Sequence, residues 1–314
     1  MAAIKYYFSR SFLLFLLAGL TGIILPQGAD IGTALILPAL TVILTITLLS
    51  MPRGFFRNPG PLVFPAILGN IMNYFILANF IIWSSIFLIR DENLWVGMVL
   101  IAAVPPAVSI MPLAKLFRAQ PITSFAGLAG AYLGAILITP LIGIGFLKYI
   151  PLNYSGIILL VLELIVLPLA LSRVAVDKDW EKIFAPYTEM INDWCLFIVF
   201  YALAANSRYL IFRRPLDLVF IAAIAVASTF LLGLVIEKIC VFYRIPKEKI
   251  IALLLLGTLK NYVLAGGIAL AVFNKQAAPP AIVFIFVMFI YEIWLKSKIK
   301  TNNTINPGKD AGQQ

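Results

Sequence analysis

Ala102-Ala-Val-Pro-Pro-Ala-Val-Ser109 and Gly257-Thr-Leu-Lys-Asn-Tyr-Val-Leu-Ala265 interrupt two otherwise apolar stretches of the chain, and their reading decides the fold. In the first, Pro105 and Pro106 lack amide donors and their rings clash with carbonyls one turn back, so a continuous helix is strained and under-bonded. In the second, Gly257, Thr258, Lys260 and Asn261 place helix-interrupting residues near the centre. Backbone opened inside hydrocarbon is tolerated only where it lines a cavity or is buried in protein. There, half-helix N-termini can face an anion and freed carbonyls a cation. A proline kink without a solute also explains the first break taken alone; a second break in a matching position points to a transport site.

The rest of the chain is that of a polytopic membrane protein. Of 314 residues, 62% are hydrophobic and 12% charged, with a mean hydropathy of +1.01; a soluble domain carries about a quarter charged residues. Ten spans are predicted, at about 10–26, 31–50, 61–88, 94–117, 121–149, 154–174, 186–205, 216–237, 248–274 and 278–296. The N-terminal run reads as a first membrane helix rather than a signal peptide, because no clear small-residue cleavage site follows it. Five plus five spans force the second half to insert upside down, the condition for an inverted repeat, with the breaks in spans four and nine. The expected divisions are residues 1–150 and 151–297 for the two repeats, and 298–314 for a polar, disordered tail. Lys and Arg concentrate in one set of alternate loops, which places both termini in the cytoplasm. Arg208, Arg213 and Arg214 run against that pattern.

The absence of histidine removes His-based catalysis and metal ligation. Cys195 and Cys240 resemble neither a disulfide framework nor a metal set. The net charge of +10 is dispersed between hydrophobic segments rather than gathered on a nucleic-acid-binding face. An enzyme, a metal site, an organic cofactor and a nucleic-acid partner are therefore not expected; the bilayer is.

Lys260 is the most informative residue, since an ionised side chain at mid-span costs about 2.5–3.5 kcal/mol and marks a functional site by default. Its bland reading is a buried ion pair, for which Glu163, Glu189 and Asp193 are the available partners. Asn70 and Asn73 share one helix face, and Asn261 follows Lys260. Glu189, Asn192 and Asp193 form a second polar face. Each of these polar residues is equally explained by interhelical hydrogen bonding, worth about 0.6 kcal/mol on average. Ser109 coordinates a solute or caps the second half-helix. Lys115 and Arg118 mark its cytoplasmic end, and the small residues from Gly127 to Gly134 suit close helix packing.

On these two motifs, together with Phe117-Arg-Ala-Gln-Pro-Ile-Thr-Ser124 and Ala277-Ala-Pro-Pro-Ala-Ile-Val-Phe284, the chain resembles the bile acid:sodium symporter superfamily over Ser11 to Leu295. The resemblance implies crossed broken helices in a core domain of spans 3–5 and 8–10. It also implies a panel of spans 1, 2, 6 and 7, and a cleft carrying an organic anion. Gly257, Thr258, Lys260, Asn261, Pro105, Pro106, Ser109, Ser124, Asn70 and Asn73 are the candidate binding residues. Sodium is the one inorganic ligand the resemblance implies, but most of the family's sodium ligands are replaced. Ile110-Met111 stands for a Ser-Asn pair, Leu128 for a Thr, Leu256 for a Glu, Lys260 for a Gln, and Asn70 for a third-span Gln. Leu, Ile and Met offer a hard cation no oxygen. The Lys260 ammonium is therefore expected in the space of a sodium ion, where its titration would couple transport to protons.

The leading expectation is a secondary transporter of a small or amphipathic organic anion. An auxin-type carrier shares the architecture. A metalloid carrier is less well matched, because the broken fourth helix lacks a thiol. A ligand-binding receptor without turnover is the reading from another class.

Overall fold

Long apolar runs must pair their own backbone groups in a bilayer, and a helix does so within one segment. The computed structural model describes residues 2–49, 60–147 and 162–305, and every regular element among them is helical. In chain order these are α1 (Ala2–Ile24), α2 (Ala29–Ala34), α3 (Ile36–Leu49), α4 (Gly60–Leu88), α5 (Glu92–Ala103), α6 (Ile110–Phe117) and α7 (Pro121–Phe146). They continue with α8 (Leu167–Asp177), α9 (Trp180–Phe184), α10 (Thr188–Arg213), α11 (Pro215–Phe242), α12 (Lys247–Thr258), α13 (Tyr262–Phe273) and α14 (Pro279–Ile305).

Among the described residues, α4, α7, α11 and the Thr188–Arg208 part of α10 are long and apolar enough to cross a membrane. Leu13–Ile24 and Pro26–Ala34 make a fifth candidate if the pair, bent by 93°, is one span; α3, α5 and α13 are shorter apolar helices. Large apolar side chains such as Phe75, Phe87 and Leu137 point outward, as a lipid-facing surface requires. The chain is an all-α membrane protein. Residues 154–161 of the expected sixth span, Arg53, Arg57, Lys148 and the end of the tail lie outside the described residues.

Several boundaries differ from expectation for visible reasons. Pro26 opens a tight turn after α1, and the Tyr201 hydroxyl accepts from the Gly28 amide at 3.1 Å and donates to the Leu25 carbonyl at 2.6 Å, fixing the bend. α14 continues to Ile305, into the stretch read as tail, because Lys298 pairs with Glu237 of α11 and lies 5.0 Å over the Trp294 ring. Arg214 pairs with Asp91 and, at 2.8 Å, with Asp217, so its charge is matched locally and is a poor orientation signal.

The helices pack in two groups. α4 lies along α7, both contact α5 and α12, and α14 contacts α5, α11 and α13; α1, α2 and α3 pack on α10, and α8 packs on α3. α10 and α3 meet α13 where the groups touch. The α4–α7 contact depends on missing side chains: a Cβ on Gly69 would lie 2.1 Å from the Gly127 carbonyl oxygen, and one on Gly130 2.4 Å from the Ala66 Cβ. Among the described residues, wider π-type turns occur at Ile71–Ala78, Leu162–Val166, Ala227–Leu231 and Ala269–Phe273.

Gly69→Ala is expected to cost about 1–3 kcal/mol through overpacking, read as a lower midpoint of thermal unfolding in detergent. Gly143→Ala in α7, where nothing lies within 4 Å of the new Cβ, should leave the midpoint unchanged or raise it. A second expectation concerns Asp91, which starts α5 by accepting from the amides of Asn93 and Leu94 at 3.0 and 3.1 Å. Burial works to raise its pKa, but the Arg214 guanidinium and the two amides outweigh it and hold the carboxyl below its ordinary range. A lowered folded-state value contributes stability that is complete above the unfolded value and lost as pH falls through the folded one. Asp91→Ala should therefore cost about 1 kcal/mol at neutral pH, and the gap to wild type should close in acid.

Candidate functional site

α5 stops at Ala103 because the next turn would need amide donors that Pro105 and Pro106 lack. α12 stops at Thr258, and the backbone at Leu259 is extended. The two freed stretches lie side by side, with Pro106 and Lys260 paired antiparallel. The Asn261 amide donates to the Pro105 carbonyl at 3.0 Å, and the Ala107 amide to the Leu259 carbonyl at 3.3 Å. Each break thus supplies backbone partners to the other, which is what opened backbone away from water needs.

Lys260 completes the junction. Its side chain is fully buried, and Nζ donates to Asn73 Oδ1 at 2.8 Å, to the Ala102 carbonyl at 2.9 Å and to the Val104 carbonyl at 2.8 Å. Ala102 is four residues before Pro106, so its carbonyl is the one that an ordinary residue 106 would have bonded. Nζ therefore replaces a donor that proline removed. Three acceptors match the three donors of an ammonium, which has no acceptor of its own. The Tyr74 ring, 4.8 Å from Nζ, and the negative C-terminal end of α5 add attraction for a cation. The expected carboxylate partners are not there. Glu163 lies in the wide turn before α8, Glu189 is exposed on α10, and Asp193 is buried beside a recess lined by Leu14 and Phe15. Carbonyl dipoles and one amide oxygen take their place.

The remaining candidates divide. Asn261 caps α13, accepting from the Leu264 amide at 3.1 Å and donating to the Tyr132 hydroxyl at 3.4 Å. Asn73 reaches Lys260, whereas Asn70, on the same face, donates to the Gly130 carbonyl at 2.9 Å and serves the α4–α7 contact. Thr258 and Ser124 bond back to Leu254 and Gln120 in their own chain segments. Gly257 admits the Met72 side chain. Ser109 occupies the N-cap position of α6 without capping it; its hydroxyl donates instead to Glu292 Oε1 at 3.0 Å.

Glu292 is the functional candidate that sequence reasoning missed. It is 3% exposed in α14 and lines a cavity of about 360 Å³ between the two helix groups. Ser109, Asn261, Tyr262, Met288 and Phe289 line the same cavity, facing Leu40, Leu44, Glu189 and Leu196 from α3 and α10. The signal was available, since any ionisable residue within a span is a candidate, but Glu292 lies four residues before Lys296 and reads as part of a charged end. Among the described residues no group of acidic or sulfur side chains is placed to hold a metal ion. Comparison with known families finds no matching family model, and no curated protein matches the chain.

Lys260→Met removes three donors and leaves the Ala102 and Val104 carbonyls without that partner. It should lower stability by about 1–3 kcal/mol, measured by thermal unfolding in detergent, and Lys260→Arg should recover only part of the loss because a planar fork fits three converging acceptors poorly.

Proposed function

We propose that the protein is a secondary carrier of a small, amphipathic organic solute, working by movement of one helix group against the other around the cavity. The reading includes a divergent place in the bile acid:sodium symporter superfamily, with ten spans in two inverted repeats. In it, α4–α7 and α11–α14 form the core, and α1–α3, α8 and α10 the panel. The observation that carries the proposal is the junction of the two broken helices, held by backbone pairing beside a cavity between the two packing groups. Broken helices at matching positions are the hallmark of a midplane transport site. A receptor without turnover would share the cavity but not require the two groups to slide.

Lys260 gives the carrier a built-in cation. Carbonyls and an amide oxygen are the ligands a sodium ion would take, and here a tethered ammonium occupies them. The reading is therefore a carrier without sodium coupling at this junction. Three surrounding acceptors favour a permanently charged lysine over one that exchanges its proton during transport.

Alternating access is testable without knowing the substrate. Met111 lines the cavity on α6, so Met111→Cys, in a chain with Cys195→Ser and Cys240→Ser, reports which side of the membrane the cavity faces. In vesicles, a membrane-impermeant thiol reagent is expected to label it from both sides, with labelling from one side protecting against the other. Labelling from a single side under all conditions would mean a fixed receptor.

A further inference from the structure

The cavity holds a charge balance opposite to the one its lysine suggests. Lys260 is the single basic residue among the cavity-lining residues, yet its Nζ is fixed by Asn73, Ala102 and Val104, none of which lines the cavity. What the lysine turns toward the cavity is not its charge. The acidic residues left there, beside the Tyr262 phenol, are Glu292, buried on α14, and Glu189, exposed on α10. Glu292 has one hydrogen bond, from the Ser109 hydroxyl, and no cation within ion-pair distance among the described residues. A carboxyl so placed requires either its proton or a counter-cation, because an unpaired buried charge is costly.

From this arrangement we infer that the cavity recognises a solute carrying an organic ammonium group, which pairs with Glu292 while its apolar part packs against Leu40, Leu44, Tyr262, Met288 and Phe289. The inference rests on the carrier reading and names its substrate class, in place of the organic anion that the family resemblance implies. A bare metal ion suits the site less well, since hard cations collect about six oxygens and the walls around Glu292 and Ser109 are mostly carbon. An aryl or alkyl amine uses both features: Glu292 supplies orientation and charge, and the carbon-lined walls supply contact area. The facing groups are few. Ser109, at the N-cap of α6, donates to the carboxyl, Tyr262 lines the cavity from α13, Thr188, Glu189 and Asn192 enter from α10, and Thr47 from α3. Glu189, at the exposed end, is placed to draw a cation inward without paying full desolvation.

Three probes of one shape test the charge preference on unaltered protein: 2-phenylethylamine, 2-phenylethanol and 3-phenylpropionate, carrying a positive, zero and negative charge. Binding to the full-length protein in detergent is measured by calorimetry at neutral pH, and flux of each in proteoliposomes. The amine is expected to bind best and the carboxylate worst. Glu292→Gln should weaken the amine about thirtyfold, as removal of a buried charge partner does, and leave the alcohol little changed. Because the series is run first on wild type, the inference stays open to refutation even if the variant does not fold. Carboxylate binding tighter than amine binding overturns it, and so does absence of saturable amine binding. Amine binding without flux supports the charge assignment and removes the carrier reading; flux of the carboxylate alone does the reverse.

Discussion

Two consecutive prolines in the interior of a membrane protein create a shortage of donors, and the structure depends on how that shortage is met. Ala102 and Val104 are buried, so the carbonyls at the end of α5 need partners from the protein itself. Part of the supply comes from the other broken helix, through Asn261. The rest is an ammonium group, Lys260, whose donors reach the carbonyls of Ala102 and Val104 and the amide oxygen of Asn73. The same interaction answers the complementary question of how a lysine survives at this depth. The Pro-Pro sequence leaves carbonyls short of donors and the lysine needs acceptors, so each supplies what the other lacks. The two breaks are thereby tied together.

This arrangement separates charge neatly. The lysine faces the interior of the α4, α5 and α12 packing, against Asn73 and Tyr74 of the wide turn in α4. On the cavity side stand Glu292 and the hydroxyl of Ser109. The lysine therefore serves the scaffold, and a buried carboxyl is left on the cavity side. The sign of a buried side chain bears on a cavity only if the side chain turns its charge toward it, and the nitrogen of Lys260 turns to Asn73, Ala102 and Val104 instead.

That point marks where sequence reading succeeds and where it stops. Helical class, membrane location and both break positions are legible, because apolar run length, adjacent prolines and a mid-span lysine are properties of local sequence. The sequence offers Glu163, Glu189 and Asp193 as partners of Lys260, since carboxylates are visible there as counter-charges. Backbone carbonyls are not, because every residue has one, and only the fold selects those of Ala102 and Val104. Ser124 and Thr258 read as ligands for the same reason in reverse: their hydroxyls are visible, but their bonds to Gln120 and Leu254 are local alternatives that helices routinely provide. The sharp bend after α1 illustrates a third limit. Pro26 announces a break, whereas its angle is set by Tyr201, a residue distant in sequence.

The central claim is that the nitrogen of Lys260 is an ammonium held by three acceptors, and the most direct measurement counts its protons. In protein labelled with nitrogen-15 at lysine, the Lys260 side-chain signal is assigned by its loss in Lys260→Arg, and its coupling pattern at neutral pH reports the number of attached hydrogens. Three hydrogens with slow solvent exchange are expected from a donor seated on Asn73, Ala102 and Val104. Two hydrogens, or exchange as fast as that of the surface lysines, would contradict the account.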